Sequence, residues 1–76
     1  MHSDTYKRLT HLLVETRKEA GLTQADVAAR LNRPQSFVSK YERCERRLDI
    51  VEFGEVADAL AVDPVELFTR FHREAR

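Results

Sequence analysis

Residues 22–42 read LTQADVAARLNRPQSFVSKYE, and two short helices joined by a tight turn account for the signals in them. Thr23 stands as an N-cap with Asp26 three residues on as its acidic partner, and Leu22 is placed to staple onto Val27. Val27, Ala28 and Leu31 give the segment from Gln24 to Leu31 one apolar face. Asn32-Arg33 breaks that periodicity, and because asparagine tolerates left-handed backbone geometry, Asn32 is the expected turn residue. Pro34 then opens a further helix running to about Arg43, whose Val38 and Tyr41 face inward. The result is a helix-turn-helix over about residues 24–43.

The same start signal recurs downstream. Leu48-Asp49 precedes Glu52, and Val62-Asp63 precedes Pro64 and Glu66, with Pro64 at the first helical position, where its missing N–H costs nothing. Upstream, Tyr6, Leu9, Leu12, Leu13 and Ala20 form one stripe of a first helix that Ser3 or Asp4 caps and Gly21 ends. Strict apolar/polar alternation is missing, so the expected fold class is all-α. The 76 residues are expected to form a compact five-helix bundle, a single domain over residues 1–76.

Thirteen basic and thirteen acidic residues cancel, which excludes a uniformly cationic coat, but they are not evenly spread. Residues 30–47 carry six basic side chains against two acidic ones, a net +4, whereas residues 48–76 carry three against seven, a net −4. A positive end centred on the third helix fits a DNA-binding face, although solvated surface arginines give the same sums. The lone Cys44 makes no internal disulfide, and no C-x-x-C pair suggests zinc. No apolar run has membrane length, and the start MHSDTYKRLT is too polar for a signal peptide, so the expected location is the cytoplasm. His2, His11 and His72 lack the i, i+4 spacing of a helical metal site, and no nucleophile is ordered beside a base. Neither an enzyme nor a cofactor is expected.

Leu22-Thr23-Gln24, Val27-Ala28, Leu31 and the run from Gln35 to Glu42 together resemble the Cro and phage-repressor type of helix-turn-helix, the XRE family. Related signals continue through Arg46-Arg47-Leu48 and Ala57, Leu60, Val62 and Leu67. The resemblance implies that the third helix, about residues 34–43, lies in the major groove of double-stranded DNA while the second crosses the backbone. It places Gln35, Ser36, Ser39 and Lys40 at base-facing positions, and Gln24 at a phosphate-contacting one. Gln35 suits a bidentate contact to adenine and Lys40 the acceptors of guanine. Arg43, Arg46 and Arg47 suit phosphates, which position a protein without specifying sequence. Arg17 and Glu42 match positions that form an ion pair between the first and third helices of phage-repressor relatives, and a structural pair is expected here.

Two positions depart from the family, which usually carries glycine where this chain has Asn32 and Cys44. A non-glycine residue at positive φ costs on the order of 1 kcal/mol, so Cys44 sits in a relaxed loop or a strained one. The neighbouring arginines would favour its thiolate. On the fifth helix, Phe68 and Phe71 either complete the core or pair with a second copy. The expectation is a homodimeric transcriptional regulator on a palindromic operator, its recognition helices about 34 Å apart. With no room for a separate sensing domain, its regulation would come from concentration, dimerisation or partner proteins. The acidic residues 49–66 leave open a protein-interaction module, such as an antitoxin or adaptor using the same fold on a protein partner.

Overall fold

The computed structural model describes residues 3–74. It contains five helices: α1 (Asp4–Glu19), α2 (Gln24–Leu31), α3 (Gln35–Glu42), α4 (Ile50–Ala59) and α5 (Pro64–Glu74). There is no strand among the described residues. α2 packs on α3 and α4, α1 on α3 and α5, and α4 on α5.

The helix starts follow the sequence chemistry. Ser3 Oγ accepts from the Tyr6 N–H at 3.1 Å, so serine rather than Asp4 caps α1. Both capping boxes close: Thr23 and Asp26 exchange bonds of 2.9 and 3.0 Å, and Asp49 and Glu52 exchange bonds of 2.7 and 3.0 Å. Pro34 sits one residue outside α3 in extended geometry, whereas Pro64 is the first residue of α5.

Four helix ends share one geometry. The residues at positive φ are Gly21 (74°), Asn32 (56°), Cys44 (60°) and Ala61 (61°). After each, the next N–H reaches five residues back: Leu22 to Arg17, Arg33 to Ala28, Glu45 to Lys40 and Val62 to Ala57. This is the Schellman closure, which satisfies carbonyls that a helix end leaves orphaned. Only one of the four uses glycine, so Cys44 occupies the strained alternative. Ala61 is a third such site that the sequence does not announce.

Leu12 and Leu13 of α1, Val27 and Ala28 of α2, and Phe37, Val38 and Tyr41 of α3 meet Phe53, Val56, Leu60 and Leu67 in one core. Ala20 does not belong to it: the residue is the exposed C-cap of α1, set beyond the helix's last turn. Two threonines are buried in its place. Thr16 returns its hydroxyl to the Leu12 carbonyl at 2.7 Å, and Thr10 Oγ1 accepts from the Cys44 thiol at 3.3 Å. No helix among the described residues is long and apolar enough to cross a membrane.

Candidate nucleic-acid interface

α3 is pinned by one face. Phe37, Val38 and Tyr41 are buried, and the Phe37 and Tyr41 rings meet edge-on at 5.6 Å. Burial pushes the Tyr41 phenol well above its ordinary pKa, so it packs as a neutral ring. At about 100° per residue, Gln35, Ser36, Ser39, Lys40 and Arg43 share the opposite arc. Gln35, Ser36, Lys40 and Arg43 are exposed and Ser39 is half-buried, its hydroxyl turned back to the Ser36 carbonyl at 3.3 Å. The Lys40 side chain makes no ion pair or hydrogen bond among the described residues.

A polar relay fixes this face against α1 and α2. Arg17 forks onto Glu42, Nε to Oε2 at 2.8 Å and Nη2 to Oε1 at 3.1 Å, and its Nη1 reaches the Leu22 carbonyl at 2.9 Å. The side chains are 12% and 5% exposed, so the pair is largely desolvated. Glu42 Oε1 also accepts from Gln24 Nε2 at 2.8 Å, and Gln24 Oε1 in turn accepts from Gln35 Nε2 at 3.5 Å. Two amides at the starts of α2 and α3 are thus oriented by one ion pair. The family resemblance puts Gln24 at a phosphate; the structure adds that its amide donor already serves Glu42.

The arginines after α3 are less available than their number suggests. Arg43 pairs with Glu45 at 3.2 Å on the surface. Arg47 lies over the Tyr6 ring at 4.7 Å, while the Tyr6 hydroxyl accepts from the Leu48 N–H. Arg46 forks onto Glu52 at 2.9 and 2.7 Å and donates to the Arg47 carbonyl at 3.0 Å. That fork, together with the Asp49 N–H, holds the Glu52 carboxyl well below the usual range, at about 2. Arg33, to which the sequence pattern assigns no role, approaches Glu52 at 3.6 Å and Glu55 at 3.4 Å. It shares Phe37 with Arg46, their guanidinium carbons standing 4.4 and 4.8 Å from the ring centroid. The acidic start of α4 therefore folds back onto the basic segment, and the −4 and +4 halves of the sequence partly neutralise each other.

Away from α3, Phe71 packs against the core, but Phe68 is 49% exposed. With Ile50 at 79% and Val65 at 71% it rims an apolar groove between α4 and α5 that Phe53, Gly54 and Pro64 floor. His72 stacks on Phe68, His11 stands 3.5 Å from Glu15, and His2 lies outside the described residues. No metal-holding group of three His, Cys, Asp or Glu residues occurs among the described residues.

A five-helix domain with an anchored α3 and a polar outer face defines a helix-turn-helix protein of the phage-repressor class. A family model for the helix-turn-helix domain matches residues 8–68. The chain is 43% identical over 53 residues to the uncharacterized HTH-type transcriptional regulator y4dJ of Sinorhizobium fredii, covering 70% of this chain and 69% of that one. Its fold superposes on an XRE-family like protein from Pseudomonas syringae pv. tomato with a TM-score of 0.89, at 46% identity over 95% of this chain and 88% of that one. The restriction-modification controller protein C.Esp1396I, solved as a tetramer with its natural 35 base-pair operator, gives 0.88 at 27% identity, covering 97% of each chain. This chain belongs to the XRE-type helix-turn-helix family.

Proposed function

We propose that the protein is a sequence-specific transcriptional regulator that binds a palindromic operator as a homodimer, with α3 in the major groove. The observation that carries this reading is the outer face of α3, where Gln35, Ser36 and Lys40 are exposed while Phe37, Val38 and Tyr41 seal the other side. A helix so held can present its side chains to base edges without losing its packing. Gln35 and Lys40 read bases, with Ser36 and Ser39 beside them. Gln24, Arg43, Arg46 and Arg47 meet phosphates. The likeness to a controller protein solved on its operator supports the same docking. The groove rimmed by Ile50, Val65 and Phe68 is the natural seat for a second copy, since exposed apolar surface of this kind marks an interface. Neither catalysis nor a cofactor has a part in this reading.

Selection from a random duplex library at roughly 0.15 M salt, with sequencing of the bound pool, tests it. The expected consensus is palindromic, with half-sites one helical turn apart, and Gln35→Ala or Lys40→Ala should relax preference at one position by about 1–3 kcal/mol. A folded protein that enriches nothing refutes the reading and turns attention to the α4–α5 groove as a site for a protein partner.

A further inference from the structure

We propose that Glu52 is a positioning residue for DNA binding: it holds the guanidinium groups of Arg33 and Arg46 over the Phe37 ring so that their remaining N–H groups, with Lys40, receive one backbone phosphate. The inference rests on the DNA reading above and adds a residue to it that never touches DNA. A surface pocket of about 300 Å³ opens beside α3, lined by Arg33, Pro34, Ser36, Phe37, Lys40 and Arg46. Its lining holds three cations and no carboxylate, the composition an anion selects. Glu52 is only 8% exposed and takes the Arg46 fork at 2.9 and 2.7 Å, with Arg33 at 3.6 Å.

An arginine carries five N–H donors, and Arg46 gives two to Glu52 and one to the Arg47 carbonyl. Two remain for a ligand on a guanidinium whose plane is already fixed by the fork and by the ring beneath it. A side chain held this way loses less conformational freedom on binding than a solvated one.

Charge alone predicts the opposite sign, because removing a carboxylate beside a phosphate should tighten binding. Phosphate contacts are largely blind to sequence, so the full chain can be titrated with a fluorescently labelled mixed-sequence duplex across a salt series. Glu52→Gln keeps the capping box, glutamine being accepted at that position, but takes away the charged fork. It should bind about 5-fold more weakly at ~0.15 M salt for each phosphate it no longer neutralises, with a log–log salt slope shallower by about 1. Arg46→Lys leaves the α4 cap untouched and keeps the charge while losing the fork, and it should weaken binding in the same way. Glu52→Gln in an Arg33→Ala/Arg46→Ala background should have no further effect. Unchanged or tighter binding by Glu52→Gln, or Arg46→Lys equal to wild type, overturns the proposal. Wild-type protein that binds no duplex sinks the DNA reading itself, an outcome separate from any difference among variants.

Discussion

Replacing Glu42 by alanine should unfold this domain far more readily than replacing any exposed acid. The carboxylate accepts three bonds, two from Arg17 and one from Gln24, at 2.8 to 3.1 Å. Its removal leaves a guanidinium that is 12% exposed with only the Leu22 carbonyl as partner. Breaking a buried pair by deleting one member costs about 3–5 kcal/mol, and the Leu22 bond together with outward rotation of Arg17 keeps this case near the lower end. A chain of this length has about 4–11 kcal/mol in total at ~0.05–0.15 per residue, so the loss is a large share of it. At about 4–8 °C per kcal/mol, Tm should fall by ~12–24 °C. Urea titration followed by circular dichroism measures the loss for Glu42→Ala, Arg17→Ala and the double variant. The double variant should cost much less than the two singles added, whereas apolar replacement of both partners should recover stability. A single-variant loss under about 1 kcal/mol, the range of exposed bridges, or strictly additive losses would mean that the Arg17–Glu42 pair is not a buried, coupled one.

Three further outcomes follow from the geometry. Ala61→Gly should stabilise the fold by up to about 1 kcal/mol by relieving positive φ, partly offset by the unfolded chain's added freedom, and Gly21→Ala should cost about as much, since its added Cβ meets nothing within 4 Å and only the backbone objects; thermal melts decide both. Phe68→Asp should lower the melting temperature by about 4–8 °C, since the half-buried ring leaves Phe53 and Phe71, yet stay folded and sediment as a monomer at concentrations where wild type is dimeric; a wild-type monomer removes the basis for the α4–α5 interface. Because the Glu52 carboxyl titrates near 2 when folded and near 4.5 otherwise, its contribution is complete above about pH 5 and is lost as pH falls towards 2. The drop should be up to about 3 kcal/mol, less for solvent screening of the partly exposed Arg46 and Arg33, and acid unfolding of Glu52→Gln should be correspondingly flatter over that window.

Most of the fold is legible because its signals are local. A cap and its partner three residues on are read from adjacent letters, and the Thr23–Asp26 and Asp49–Glu52 boxes stand where those letters put them. Helix ends are harder. The left-handed residue is readable at Gly21 and Asn32, where composition favours it, and illegible at Ala61, where the Schellman closure overrides an ordinary preference for αR. Ala20 illustrates the other limit: periodicity extends a stripe one residue past the point where the helix stops, and nothing in the stripe itself says so. Thr10 and Thr16 are invisible as core residues in the sequence because their hydroxyls find partners only in the fold, at Cys44 and at the Leu12 carbonyl.

The candidate site divides along the same line between local and distant partners. Which α3 side chains face outward follows from the 3.6-residue period, so Gln35, Ser36 and Lys40 are readable from the sequence alone. Which charges they share space with is not. Linear sums treat neighbours along the chain as neighbours in space, and on that basis residues 30–47 form a positive pole. Yet the chain brings the first turns of α4 back to this segment, and its carboxylates reach Arg33 and Arg46. Glu52 is recognisable as a capping residue, but one carboxylate has lone pairs enough to cap a helix and hold two guanidinium groups at once. Of the basic side chains in residues 30–47, Arg30, Lys40 and Arg47 have no carboxylate within ion-pair distance among the described residues. Phosphate affinity should therefore depend on placement more than on net charge, through Lys40 and the guanidinium groups that Glu52 orients. Non-specific binding should then be weak beside operator binding, and discrimination should rest on the exposed edge of α3.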